Sequence, residues 1–255
     1  MISNYIEVLI LAFVQGVSEF LPVSSSAHLI IISNFISFSN KSLIFDVGLH
    51  FGSLLAILFY FRKDLINIFN DKKLFNLLIV GSIPLIFIGY IFYSTDLINY
   101  LRNLEIIAWA TLIFGLILYF ADTFKVKKKL EKDLTIKNII IIGLLQAFAI
   151  IPGVSRSGIS ITAGRFLNFD RHDSTKISFY LSIPALLGAS IITLKDSINE
   201  NFEFNFLLII SIILSFIFSY LTIKYFLIYT KKFSLKVFVF YRIILSIIIF
   251  IIIYN

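Results

Sequence analysis

The amino-acid sequence predicts an all-α polytopic membrane protein with six transmembrane helices and two re-entrant helical hairpins. Hydrophobic residues make up 59% of the 255 residues, and charged residues only 15%. The apolar residues fall into runs long enough to cross a bilayer as helices. Two further apolar runs are interrupted near the middle by proline, which breaks a helix. This composition excludes an ordinary water-soluble domain.

Six runs qualify as spans because a helix needs about 20 apolar residues to cross roughly 30 Å of hydrocarbon. They lie at 43–61, 74–93, 104–121, 176–194, 204–223 and 237–254. The sequence contains no cysteine, which excludes disulfides, thiolate-ligated metals and a cysteine nucleophile.

Lysine and arginine are distributed unevenly among the connecting loops. Loops 62–73, 123–137 and 231–236 carry 13 of them, whereas the loops on the other side carry three. Because cytoplasmic loops accumulate these residues, the three basic loops are predicted to be cytoplasmic. The net charge of +7 then reflects topology at an anionic leaflet, and no nucleic-acid partner is expected.

Two apolar stretches are predicted to enter and leave the bilayer from one face. Stretch 5–38 is interrupted at Pro22, and stretch 138–168 at Pro152-Gly153. The loop charges require the second stretch to begin and end on the cytoplasmic side. Two full crossings would also satisfy this requirement, but the halves are too short to span, which favours a re-entrant hairpin.

The two broken stretches resemble each other. Gly16-Val-Ser-Glu-Phe20 followed by Pro22 is echoed by Gly143-Leu-Leu-Gln-Ala-Phe148 followed by Pro152, with a small insertion. Three spans follow each copy, and because three is odd the second copy is inverted. We predict one membrane domain, 1–255, in which inverted repeats at about 1–122 and 138–255 are joined by the cytoplasmic loop 123–137.

Polar residues concentrate at the two breaks, where they are costly unless paired or solvated. They are Gln15, Glu19, Ser24, Ser25, Ser26 and His28 at the first break, and Gln146, Ser155, Arg156 and Ser157 at the second. Helices that restart after the prolines would aim N–H groups and positive dipole ends at the protein centre. This arrangement predicts an anion site.

An arginine among serines suits a phosphate or diphosphate. Glu19 would repel that anion unless a divalent cation, Mg²⁺ or Ca²⁺, lay between them, with Glu19 and the Gln15 carbonyl as ligands. Ser25 and His28 on one helical face would combine a hydroxyl with a base, as a nucleophile or a water activator. The metal and Arg156 would then offset charge on the transferred phosphoryl group.

Structural roles are the alternative for each group. Ser24, Ser25 and Ser26 could cap a helix, and Glu19 and Arg156 could form a buried ion pair. His28 could be a hydrogen-bonded core residue. Asp46 and His50, four residues apart on the first full span, could support the site or form a polar pair.

The motifs resemble those of a known family. Gln15-Gly-Val-Ser-Glu-Phe-Leu-Pro-Val-Ser-Ser-Ser-Ala-His28 and Pro152-Gly-Val-Ser-Arg-Ser-Gly158 are similar to two signatures of the bacitracin-resistance type of undecaprenyl-diphosphate phosphatases. Phe45-Asp-Val-Gly-Leu-His-Phe-Gly-Ser53 and Phe179-Tyr-Leu-Ser-Ile-Pro-Ala-Leu-Leu-Gly188 resemble its intervening blocks. The resemblance covers nearly the whole chain. Gln15 replaces a glutamate found in many members, and Ala27 replaces a usual glycine.

The resemblance implies a multi-pass enzyme of the bacterial plasma membrane that hydrolyses a polyprenyl diphosphate lipid, undecaprenyl diphosphate, to the monophosphate. Such an enzyme recycles the carrier lipid of peptidoglycan synthesis and confers bacitracin resistance. The resemblance also implies a divalent-metal site that opens toward the external side, with Glu19, Ser25, His28 and Arg156 as catalytic residues. Whether the chain forms a homodimer stays open. A lipid-phosphate transporter with the same inverted-repeat anion site is the alternative.

Overall fold

The computed structural model describes residues 2–35, 43–199 and 206–254, and no β-strand occurs in these ranges. The described ranges form thirteen α-helices: α1 (Ile2–Ser18), α2 (Ser25–Phe35), α3 (Leu43–Tyr60), α4 (Arg62–Asn70), α5 (Lys72–Ser94), α6 (Leu97–Tyr100), α7 (Leu104–Asp122), α8 (Leu130–Asp133), α9 (Ile136–Gln146), α10 (Arg156–Phe166), α11 (Arg171–Asn199), α12 (Phe206–Lys232) and α13 (Lys236–Tyr254). A 3₁₀ turn, Ala147–Ile150, extends α9.

Side-chain caps start several helices that follow loops. The Asp71 carboxylate accepts hydrogen bonds from the backbone N–H groups of Lys73 and Leu74 at 3.0 and 3.2 Å, and so starts α5. Asn103 caps α7 through the N–H of Glu105 at 2.8 Å. These caps satisfy N–H groups that the helix leaves without partners, so the chain can pass directly from a polar loop into an apolar helix.

Five described helices are long and apolar enough to cross a bilayer, namely α5, α7, the part Arg171–Lys195 of α11, α12 and α13. The chain is therefore an all-helical, multi-pass membrane protein. The sixth predicted span, 43–61, coincides with α3, whose stretch Gly48–Tyr60 is apolar, and its crossing of the bilayer stays a prediction. Residues 204 and 205 of another predicted span lie outside the described part of the chain.

Two helices extend beyond the limits expected from hydropathy. Helix α11 begins at Arg171 instead of residue 176, and α12 continues to Lys232 instead of ending at residue 223. The extension of α12 keeps Phe226 and Leu227 buried in the core, although charged residues flank them. The hydropathy of the sequence indicates which part of a helix is surrounded by lipid, whereas packing against other helices determines where the helix ends.

Helix α12 packs closely against α3 through small residues. A Cβ atom added to Gly52 would lie 2.4 Å from the Ile212 carbonyl oxygen, so only glycine fits at this contact. Beside it, the Ser215 hydroxyl donates to the Leu49 carbonyl at 2.6 Å, and Ser219 donates to the Ser53 hydroxyl at 2.9 Å. Small residues and hydroxyl bonds are the usual means of joining helices in lipid.

The chain breaks at the two predicted places. Helix α1 ends at Ser18 and α2 begins at Ser25, while α10 begins at Arg156, after the 3₁₀ turn. Helices α2, α9 and α10 have 11 residues each, or about 16 Å, which is about half of the hydrocarbon thickness.

The turns before α2 and α10 are built alike. Ser24 and Ser155 both have positive φ angles, of 75° and 70°. Each hydroxyl accepts from the backbone N–H three residues later, at 3.4 and 3.1 Å. Each also lies 3.2 Å from the hydroxyl of the serine two residues later, Ser26 and Ser157 respectively. Ser24 therefore corresponds to Ser155 in structure, which aligns Ser25 with Arg156.

Arg242 of α13 binds backbone carbonyls of both turns and so links them. Its side chain is fully buried, and its guanidinium donates to five backbone carbonyls at 2.8 to 3.4 Å, those of Pro22, Ala110, Thr111, Gly153 and Val154. A guanidinium has five N–H donors, so the carbonyls match its full capacity. Direct bonds also join the turns, from the Gly153 N–H to Ser24 and from the Ser157 hydroxyl to the Leu21 carbonyl, at 3.2 and 2.6 Å.

We expect Arg242→Met to destabilise the fold strongly, because a buried carbonyl without a donor costs about 1–3 kcal/mol. Loss of about 3 kcal/mol or more corresponds to a fall in Tm of roughly 10 °C for a chain of this size, measurable by thermal unfolding in detergent. Arg102→Met, at an exposed arginine, is the matched control and should shift Tm little. A shift within about 2 °C for Arg242→Met would contradict this role for the guanidinium.

Candidate active site

Glu19 is the centre of the polar cluster at the two breaks. Its Oε1 accepts from Arg156 Nη2 at 2.7 Å, and its Oε2 accepts from the Ser25 hydroxyl at 2.7 Å and from Gln15 Nε2 at 3.1 Å. The side chains of Glu19 and Arg156 are only 7% and 11% exposed. The structure thus brings residues 137 positions apart into a buried ion pair that also holds a serine hydroxyl.

Local structure explains why these side chains meet. The Glu19 N–H still donates to the Gln15 carbonyl at 2.9 Å, so both residues lie on one face at the end of α1. Ser25 and Arg156 are the first residues of α2 and α10, and both follow a positive-φ serine. Strained turns of this kind cost about 1–3 kcal/mol and recur at functional sites.

The other predicted serines support the turns. Ser24 and Ser155 cap α2 and α10, and Ser26 and Ser157 bond to those caps. Ser24 also accepts from the Gly153 N–H of the opposite break. The capping role that the sequence left open is therefore present in the structure, beside the contacts that join the two breaks.

His28 has other partners than Ser25. Its Nδ1 lies 2.6 Å from the Ser24 carbonyl, and its Nε2 contacts the Tyr241 hydroxyl. A carbonyl only accepts, so Nδ1 carries the proton, and a neutral ring accepts the Tyr241 proton at Nε2. The spacing of Ser25 and His28 predicted a pair, but Ser25 begins the helix and its hydroxyl turns back to Glu19 instead.

Gln146 lies in the second broken segment but bonds elsewhere. Its Oε1 accepts from Ser160 at 2.9 Å, and within the described ranges it forms no hydrogen bond with Glu19 or Arg156. Asp46 has a side chain outside the described part of the chain, so its pairing with His50 stays a prediction. His50 itself interacts electrostatically with Glu19.

Among the residues that the structure describes, six buried side-chain atoms have no hydrogen-bond partner, and three of them belong to the predicted site residues: Gln15 Oε1, Gln146 Nε2 and Arg156 Nη1. Arg156 Nη1 is a free donor next to the Glu19 ion pair and suits an anion oxygen. Gln15 Oε1 is a free acceptor on the same cluster and suits a hard cation. The Glu19 cluster therefore has both an unused hydrogen-bond donor, on Arg156, and an unused acceptor, on Gln15.

A divalent cation fits this donor set in one specific way. Within the described ranges no group of three His, Cys, Asp or Glu side chains is placed to hold a metal. Glu19 and Gln15 together provide one carboxylate and one amide oxygen. Mg²⁺ commonly binds with one or two protein oxygens and completes its shell with substrate phosphates and water. The residues fit such a substrate-completed site.

Sequence reasoning missed Arg242 and Tyr241. Both lie in the run 237–254, which was read only as a span. An arginine inside an apolar run was a usable signal, since charged groups at membrane depth need partners. No comparable signal distinguished Tyr241, whose ring stacks on His28 with centroids 5.6 Å apart.

Comparisons with known proteins identify the family of the chain. The model of the family "Bacitracin resistance protein BacA" matches residues 8–248. A curated protein of Pelagibacter ubique, named undecaprenyl-diphosphatase, is 59% identical over the full length of both chains. Proteins of the same name from Thermodesulfovibrio yellowstonii and Alcanivorax borkumensis are 40% and 38% identical, over 95% and 96% of this chain and 95% and 97% of theirs. The chain therefore belongs to the bacitracin resistance protein BacA family.

Proposed function

We propose that the chain is an undecaprenyl-diphosphate phosphatase, which hydrolyses undecaprenyl diphosphate to the monophosphate and orthophosphate. The names of its relatives support the reaction and the substrate. The observation that carries the proposal is the contact of Glu19 with both Ser25 and Arg156. The product is the carrier lipid of peptidoglycan synthesis, so the enzyme would belong in a bacterial plasma membrane, and activity on this lipid would confer bacitracin resistance.

The proposed architecture has six spans and two re-entrant hairpins in an inverted repeat, with the site open to the external side. The helices α2 after the first break and α9 and α10 around the second support the hairpins, since the described residues of each extend only about half way across the hydrocarbon. The shared construction of the Ser24 and Ser155 turns supports the repeat. Half-helix N-termini that point at an anion are typical of such folds.

Arg156 is proposed to bind the terminal phosphate of the substrate. Its Nη2 is occupied by Glu19, whereas its Nη1 is free for a phosphate oxygen. The N-terminal N–H groups of α2 and α10, positioned by Ser24 and Ser155, would receive the remaining oxygens. These donors face the charge that grows on the phosphoryl group during transfer, so they act on the transition state.

Ser25 is proposed as the nucleophile and Glu19 as its proton acceptor, because the hydroxyl already donates to Glu19 Oε2 at 2.7 Å. The Ser25 oxygen bonds to the terminal phosphorus while the bridging P–O bond breaks, and the polyprenyl monophosphate leaves with the electron pair. Water then attacks the phosphoserine, orthophosphate leaves, and the Ser25 oxygen regains its proton from Glu19. His28 would hold the first turn of α2 through the Ser24 carbonyl.

A divalent cation, Mg²⁺ or Ca²⁺, is proposed as the cofactor, with Glu19 and Gln15 Oε1 as its protein ligands. When bound, the cation would offset the negative charge of the diphosphate beside Glu19. The free, buried state of Gln15 Oε1 supports this assignment. With glutamine at position 15, the two protein ligands of the cation together carry less negative charge than two carboxylates would.

We expect Glu19→Ala and Arg156→Ala each to lower orthophosphate release from farnesyl diphosphate by about a hundredfold or more, the usual effect of removing a group that stabilises a transition state. The assay uses purified protein in detergent, and a chelator should stop release. Arg102→Ala, at an exposed arginine, should retain activity. Release at the wild-type rate in both active-site variants would refute these roles of Glu19 and Arg156, whereas no release by the wild-type protein would favour the transporter alternative.

We expect a phosphorylated peptide that contains Ser25 after rapid acid quenching of the enzyme during turnover. Mass analysis locates the phosphate, and Ser25→Ala should abolish both the peptide and the release of orthophosphate. If Ser25→Ala keeps releasing orthophosphate, water is the nucleophile and Ser25 only orients Glu19.

We expect Gln15→Glu to lower the Mg²⁺ concentration needed for half-maximal activity, because a second carboxylate adds charge to the proposed cation site. In a chelator, the same change should lower Tm, since two carboxylates would then repel each other without a cation between them. Gln146→Glu is the control and should leave the Mg²⁺ requirement unchanged, because Gln146 bonds to Ser160 instead of Glu19. An unchanged Mg²⁺ requirement in Gln15→Glu would exclude residue 15 as a ligand.

A further inference from the structure

A second polar region lies away from the Glu19 cluster, where the basic loops meet the helix ends. Two cavities here share His172 and Lys231 in their walls, so they adjoin. We call the combined space the basic groove. It is bounded by the end of α3 and the start of α4, the first turn of α11, the last turn of α12 and the segment after α7.

The basic groove has an excess of positive charge. Six lysine or arginine residues line it against three aspartates: Arg62, Lys63, Arg165, Arg171, Lys176 and Lys231 against Asp64, Asp122 and Asp170. The groove therefore attracts anions, and its position among the lysine-rich loops is the side expected to face an anionic leaflet.

The aspartates already have partners inside the protein. Asp122 accepts two bonds from Arg171, at 2.6 and 3.1 Å, and one from the Leu235 N–H at 3.1 Å. Asp64 accepts from the Tyr180 hydroxyl at 2.8 Å and lies 3.6 Å from Lys176. Because these carboxylates are engaged, they offer little to neutralise the remaining cations of the groove.

Lys63 and Lys231 are the cations that remain available. Both are exposed, and across residues 2–35, 43–199 and 206–254 neither ammonium group forms a salt bridge or a hydrogen bond. They belong to different elements, α4 and α12, and both line the second cavity. Their arrangement suits one anionic group held between them.

Part of the wall of the groove is apolar. Phe124 and Val126 in the first cavity and Ile228 in the second are 43%, 55% and 48% exposed, and the buried Leu227 and Phe61 also line the second cavity. Free phosphate would use only the cations, whereas a lipid would also cover the apolar side chains. Cationic and apolar surface in one groove at a helix end matches a lipid headgroup with its attached chains.

We propose that the basic groove binds an anionic glycerophospholipid, with its phosphate between Lys63 and Lys231 and an acyl chain against Ile228. This site is separate from the Glu19 cluster and shares no residue with it. Its occupation would tie α4, α11 and α12 together on the side of the basic loops and so stabilise the folded protein.

Native mass spectrometry of the full chain in detergent, titrated with phosphatidylglycerol, phosphatidylcholine or orthophosphate, tests the proposal. We expect phosphatidylglycerol to bind, and the double change Lys63→Gln with Lys231→Gln to weaken this binding by about tenfold or more. The control Lys127→Gln with Lys132→Gln removes the same charge from exposed loop lysines outside the groove, and should weaken it less than twofold.

Ile228→Asn separates a lipid from a free anion, because it leaves the charge unchanged. It should weaken phosphatidylglycerol binding and leave any orthophosphate binding as in the wild type. Equal losses in the groove and control pairs would overturn the proposal in favour of general surface charge. Orthophosphate binding as tight as that of phosphatidylglycerol would overturn the proposal in favour of a free anion site. Phosphatidylcholine binding as tight as that of phosphatidylglycerol would also overturn it, because the lipid would then need no net charge.

Discussion

Charged groups at membrane depth are costly unless they are paired, and this requirement shapes the centre of the molecule. An uncompensated charge in the middle of a bilayer costs about 3 kcal/mol or more. Glu19 meets the requirement through Arg156, Ser25 and Gln15, and Arg242 meets it through five carbonyls. The two breaks in the helices supply these carbonyls and hydroxyls, so irregular backbone and buried charge stabilise each other.

The two central arginines have different tasks. Arg242 donates all its guanidinium N–H groups to backbone carbonyls, so no donor is free for a ligand. Arg156 gives one nitrogen to Glu19 and keeps the other free. The first arginine shapes the turns, and the second is available for the substrate. An arginine can serve both purposes because its donors form a rigid fork, which a lysine lacks.

Sequence reasoning located the breaks and the residues around them, because proline and clustered polar groups leave a clear mark in an apolar chain. A buried ion pair of Glu19 with Arg156, 137 positions away, was one of the alternatives that the sequence offered, and the structure contains it. The partners of individual side chains were less predictable. Helical spacing predicted that Ser25 and His28 would be partners. Ser25 is instead the first residue of α2, and its hydroxyl donates to Glu19. Arg242 was overlooked because its carbonyl partners lie in three distant segments, which no local pattern reveals.

The position of Arg242 and Tyr241 on α13 has a consequence for biosynthesis. Glu19, Ser25 and Arg156 leave the ribosome well before residue 242, yet the two turns that carry them acquire their shared guanidinium only when the last described helix inserts. A nascent chain that stops short of α13 would possess all the residues proposed to react with the diphosphate, but would lack the clamp that arranges them. The order of translation thus couples the arrangement of the site to the synthesis of α13.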